Sequence, residues 1–239
     1  MRTFNQADYL NDQLWSPLWE RYLKQAVPFD PLNTKEISMI VPIPEQTGVL
    51  IFSEKTIYHS DENGLTVLKQ YSAAHGFPHY KLVCTCLKTL PSFGSYKFPW
   101  LCLHFSLFPL ENTQRTIWMN PLKISQLHYE NDRYYAEMLT TPNVALPILK
   151  RSFFLRTELA LYSLALFRHD VLRFHKKADT PLAYLDLPDT FFARQISQRH
   201  RLSQFSHRIG EFTSQYNRTH FLHYYDKLVD DPHKLDWNR

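Results

Sequence analysis

Glycine is scarce, with five in 239 residues. So few leave little room for a glycine-rich phosphate cradle. No G-x-G-x-x-G or Walker-type string occurs, which argues against nucleotide-dependent chemistry. Cysteine is scarcer still, with Cys84, Cys86 and Cys102 the only three, an odd number that suits a reducing cytoplasm better than a disulfide framework. No run approaches the ~18 uncharged apolar residues of a membrane span. The opening "MRTFNQADYLNDQLW" has no apolar stretch of the secretory kind, so no signal peptide is expected. H-E-x-x-H and G-x-S-x-G patterns are missing as well. The expectation is a protein without catalytic activity, cofactor or membrane association, working in the cytoplasm.

Apolar residues make up 44% of the chain and aromatics 15%, ample for a packed core. The net charge of +4 is unevenly placed. Residues 1–145 carry 12 basic and 13 acidic side chains, residues 146–210 carry 11 and 5, and the remainder 4 and 5. The whole excess therefore falls in one segment, as a local anion-binding surface requires. A solvated helical face accounts for the same distribution.

Residues 4–26 read as one or two short amphipathic helices broken at "WSPLW", where Ser16 can cap and Pro17 can open a helix. "VPFDPLNT" reads as a linker. "EISMIVPI", "GVLIFS", "TIYHS" and "LTVLK" read as strands. "YKLVCTCL" fits either a helix or a strand. "WLCLHFSLF", "TQRTIWM" and "LKISQLHY" continue an antiparallel meander, with one more short strand in 133–144. From Leu146 the pattern is helical: one helix with Pro147 at its first position running to about Lys177, a second from Asp189 to about Ile209, and a last one to about Val229. The fold class is α+β, an antiparallel β-rich core followed by a helical C-terminal third.

Two constellations of cations stand out. In the first long helix, Leu149, Phe153, Ala160, Leu164, Phe167 and Val171 share one stripe at about 100° per residue, and Arg156 falls at its edge. A buried guanidinium there needs a carboxylate, carbonyl oxygens or an external phosphate; otherwise it snorkels to water. Lys150 and Arg151 open the same helix, and Arg151, Glu158, Tyr162, His169 and Arg173 lie on a wetter face. In the second helix Arg194, Arg201 and Arg208 repeat every seven residues, roughly 10 Å apart, with Arg199 and His200 widening the stripe. Cations spaced along a rod suit successive phosphates; an acidic partner protein is the competing occupant.

Cys84-Thr-Cys86 and Cys102-Leu-His104 would make a Cys₃His zinc site if both lay on adjacent strands. Buried small apolar residues are the better reading. Twelve histidines are present, yet none has a carboxylate at a catalytic or metal-binding offset.

The order of the middle segments resembles the ComK-type competence transcription factors. "EISMIVPI" followed by "IYHSDENGLTVLKQYSAAHG" is similar to the family's opening strands and small-residue segment. "KTLPSFGSYKFPWLCLHFSLFPLENTQRTIWMNPLKISQL" is similar to its core, at Lys88, Pro91, Phe105, Phe108, Pro109, Trp118 and Ile124. "ILKRSFFLRTELALYSLALF" resembles a late helix with an Arg-Thr step, here Arg156-Thr157. The likeness spans about residues 36–168, and Gly76-Phe77-Pro78 stands where the family carries a basic pair. It divides the chain into an N-terminal helical extension (1–34), an α+β core (35–177) and a C-terminal helical extension (178–239).

What the resemblance implies is an activator of competence (DNA-uptake) genes that binds AT-rich double-stranded DNA as a homo-oligomer and engages RNA polymerase. It also implies control by an adaptor to a Clp-type protease. Lys150, Arg151, Arg156, Arg194, Arg199, Arg201 and Arg208 are then the candidate DNA contacts. The competing readings are a protein-interaction module using the aromatic tail "EFTSQYNRTHFLHYYDKLV" and, more remotely, a metal-dependent nucleic-acid enzyme.

Overall fold

The computed structural model describes residues 8–91, 93–94, 97–172 and 178–230. In chain order these form β1 (Tyr9–Leu10), α1 (Pro17–Gln25), β2 (Val27–Pro28), β3 (Ile37–Pro42), β4 (Val49–Ser53), β5 (Ile57–Ser60), α2 (Gly64–His75) and α3 (Tyr80–Thr89). There follow β6 (Trp100–Leu101), β7 (Ser106–Pro109), β8 (Trp118–Met119), β9 (Ile124–Glu130), β10 (Arg133–Met138) and β11 (Asn143–Leu146). Three helices end the described chain: α4 (Lys150–Val171), α5 (Phe191–Ser197) and α6 (Glu211–Asp230). The fold is α+β with antiparallel-rich sheets and a helical C-terminal region, as the hydrophobic patterning indicates.

One sheet has the order β2-β5-β4-β3-β8-β7-β6 and the other β1-β11-β10-β9. Among the described residues, only the short edge pairs β1–β11 and β2–β5 run parallel. β3, "ISMIVP", is buried at every position because both faces of its sheet are covered. Its side chains split accordingly. Met39 and Val41 join the main core with Leu50, Phe52 and Met119, while Ile40 joins the opposite cluster with Ile51, Val67, Tyr71 and Trp118. The main core also takes Leu10 and Trp19 from the start of the chain and Tyr184, Phe192, Ile196 and Phe212 from its end.

Several segments depart from their sequence patterns, each for a local reason. "LTVLK" is the start of α2, not a strand: the Asn63 side chain accepts from the Thr66 amide at 3.0 Å, and Gly76 ends the helix in the left-handed region (φ 65°). Gly64 sits so close to Trp118 that an added Cβ would stand 3.0 Å from its Cδ1. "YKLVCTCL" is helical, burying Leu82, Val83, Cys86 and Leu87 at helical spacing. Residues Tyr9–Leu10 are a strand on β11, so the first expected helix shortens to α1; residues 4–7 fall outside the described residues. "WLCLHFSLF" is two paired strands folded at Cys102–Phe105, and only Trp118–Met119 of "TQRTIWM" is extended. Residues 133–144 hold β10 and the start of β11.

α4 starts at Lys150, three residues after Pro147, and ends at Val171; the expected extension through Arg173 to Lys177 lies outside the described residues. Its middle, Thr157–Leu166, is buried all round, including Glu158 and Tyr162, and Asp170 near its end is buried too. The wetter face expected for Glu158 and Tyr162 is therefore an interior face. Polar side chains enclosed in this way are mostly satisfied by partners from other elements. Tyr162 bonds Ser206 and His207 (2.8 and 3.0 Å), and Asp170 accepts from the Gly210 and Thr213 amides (2.6 and 2.8 Å), capping α6. Among the described residues, no helix is long and apolar enough to cross a membrane.

Candidate nucleic-acid interface

A groove of about 1020 Å³ runs between the start of α4 and α5. Local sequence builds each wall. Leu149 precedes α4 without a side-chain cap, and no acidic residue occupies the first turn, so the helix presents its positive end beside Lys150 and Arg151. Phe153 points inward and is fully buried, while Phe154 faces the groove, with the Lys150 ammonium 5.9 Å from its ring centre.

The opposite wall is α5. Thr190 caps it by accepting from the Ala193 amide (3.1 Å) and donates its hydroxyl proton to the Ile124 carbonyl of β9 (3.2 Å). Phe192 locks it from below, packed on Phe153 and Phe154 at centroid distances of 5.8 and 5.3 Å. Gln195 and Gln198, one turn apart, line the groove, as does Tyr134 of β10. The tight β9–β10 connection through Asn131 and Asp132, both at positive φ, sets the register of Tyr134.

Arg199 closes the groove. Its backbone leaves the helix in an extended conformation, and its Nε and Nη2 both reach the Glu158 carboxylate at 2.8 Å. Glu158 is 8% exposed and Arg199 39%, so the acid is covered and the cation faces the groove. None of the lining residues is acidic.

The seven cations singled out from sequence separate into groups. Lys150, Arg151 and Arg199 meet in this groove, although Arg199 lies 48 residues beyond Arg151. Arg194 is on the exposed face of α5, its Nε 3.7 Å from Asp189. Arg156 is half-buried and turns elsewhere, its Nη1 donating to the Pro109 carbonyl at 3.4 Å. Burial pulls its pKa down, opposed by Glu111. Of the three partners open to it, the structure supplies a carbonyl.

The heptad stripe of Arg194, Arg201 and Arg208 does not exist as one helical face. α5 ends at Ser197; Arg201 lies in a 3-10 turn (His200–Leu202) and Arg208 in the irregular link before α6. The Arg199–Glu158 pair and the inward turns of Leu202 and His207 break the rod, and neither Arg201 nor Arg208 lines the groove.

The most deeply engaged cation, Arg168, has no sequence signal. It donates to the Leu103, Tyr184 and His104 carbonyls (2.8, 2.8 and 2.6 Å) and to Asp186 (3.1 Å). It ties α4 to the β6–β7 turn and to the segment before α5. The zinc geometry also fails, because Cys84 and Cys86 are two residues apart on a helix and so diverge. Burial raises the Cys84 and Cys102 thiols to about 11 and Cys86 to about 12. Among the described residues, no group of three or more His, Cys, Asp and Glu side chains forms a metal site.

Compared with models of known protein families, with curated proteins and with solved structures, the chain matches none.

Proposed function

We propose that the protein binds double-stranded DNA through the groove between α4 and α5, acting in the cytoplasm as a transcriptional activator of competence genes. The observation that carries the DNA reading is the convergence of Lys150, Arg151 and Arg199 on one concave surface that no acidic residue lines. Lys150 and Arg151 contact phosphates. Arg199, part-neutralised by Glu158, contributes less charge and more position. The competence role, the AT-rich preference, the homo-oligomer, and engagement of RNA polymerase and a Clp-protease adaptor rest on the ComK-type resemblance alone.

The test is fluorescence anisotropy with an AT-rich and a GC-rich duplex over a series of salt concentrations. Removing two phosphate contacts in Lys150→Ala/Arg151→Ala reduces the slope of log K against log[salt] by ~1.8, at ~0.9 per contact. A slope unchanged from the parent removes the groove from the interface. A second reading has its own observation: α6 leaves Phe221, Leu222, Tyr225, Leu228 and Val229 exposed along one side. A module that docks a protein there would bind both duplexes weakly and lose that binding at moderate salt.

A further inference from the structure

Resting on the DNA-binding reading, we infer that Gln195 and Gln198 are the residues that read A·T base pairs, with α5 as the element that presents them. α5 has two faces. Phe192, Ala193 and Ile196 are buried, whereas Phe191, Arg194, Gln195 and the C-cap residue Gln198, still in right-handed helical backbone, lie toward solvent at the i, i+3, i+4, i+7 spacing of a single stripe. The buried face is fastened to α4 through Phe153 and Phe154, and to β9 through Thr190. The two carboxamides therefore stand on a fixed platform, which base-edge recognition requires.

Their chemistry selects the ligand. Among the described residues, neither side-chain amide has a hydrogen-bond partner, although both line a groove whose far wall carries Lys150 and Arg151. Each keeps one acceptor and two donors for an external partner. A glutamine amide pairs with adenine N6 and N7 in the major groove; in the minor groove its N–H₂ donates to adenine N3 or thymine O2, where guanine's amino group would obstruct it. Both geometries favour A·T over G·C. Of the arginines on and near this site, Arg199 is held by Glu158 and Arg156 by the Pro109 carbonyl, while Arg151 stands on the far wall with Lys150 as a phosphate contact. Arg194, beside Asp189, is placed for a phosphate.

The experiment compares the parent protein and Gln195→Ala/Gln198→Ala on three duplexes of one length, containing A·T, G·C or inosine·C pairs. The parent prefers A·T. The double variant loses that preference by roughly 5- to 100-fold, the range for one good side chain–base contact, while its salt slope is unchanged because no phosphate contact is lost. Inosine·C lacks the guanine amino group. Parent binding to it at the A·T level assigns the contact to the minor groove, and binding at the G·C level to the major groove; each accords with the inference when the variant loses the discrimination. A double variant that keeps the full A·T preference overturns the inference and leaves the DNA reading standing. A parent that binds no duplex at moderate salt overturns both. Gln198 is exposed and Gln195 only half-covered, and circular dichroism of the variant checks that the overall helix content of the parent persists.

Discussion

Replacing Arg168 with Met removes a charge from the interior while keeping an unbranched stem of similar length. The side chain is 10% exposed, so its donors have been withdrawn from water and serve protein acceptors. The Asp186 carboxylate is 82% exposed and rehydrates after the change, so this ion pair contributes ~0–1 kcal/mol. The three carbonyls differ. Leu103, His104 and Tyr184 each lose a charge-assisted donor at 2.6–2.8 Å, and an acceptor left without a partner costs ~1–1.5 kcal/mol when some water can enter. Water can enter, since a cavity of about 300 Å³ borders Arg168, His104 and Asp186. With the ion pair the sum is ~3–5.5 kcal/mol. With a urea dependence of roughly 3 kcal/mol per M for a chain of this size, the unfolding midpoint falls by about 1–1.8 M. Arg168→Lys recovers only part of the loss, because one ammonium lacks the span to serve three carbonyls. A midpoint shift below ~0.3 M for Arg168→Met would refute the reasoning, since it would mean the carbonyls find other partners and Arg168 is not a tether.

Two further outcomes follow from buried polar groups. Asp170→Ala removes the acceptor for the Gly210 and Thr213 amides at the start of α6 and costs ~2–4 kcal/mol; hydrogen exchange checks it, with α6 amides losing protection before those of β3. The thiols of Cys86 and Cys102, raised to about 12 and about 11 by burial, stay unmodified by a disulfide reagent at pH 8 in the folded protein and react at once in denaturant; rapid native-state reaction at both would contradict their burial.

Much of the fold was legible locally. The apolar runs of β3 and β4, the Pro17 start of α1 and the α+β order all follow from patterns a few residues long. Two segments depart from their local patterns for different reasons. "LTVLK" alternates like a strand, but the cap at Asn63 and the left-handed Gly76, thirteen residues on, commit the stretch to a helix. An Arg194–Arg208 rod requires a continuous helix, whereas Arg199 leaves helical geometry to meet Glu158, 41 residues upstream.

For the site, the sequence by itself determined that positive charge is concentrated in residues 146–210 and that Lys150 and Arg151 open a helix. It also carried the α5 stripe, since Gln195 and Gln198 stand three residues apart beside Arg194. Only the tertiary structure decided which cations face outward. Arg156, Arg168 and Arg199 look alike in one dimension, but Pro109, Leu103, His104, Tyr184 and Glu158 claim their guanidinium groups from distant parts of the chain. A buried charge must take whatever partner the packing brings within reach, and that partner is set by how α4 lies among the sheets and α5.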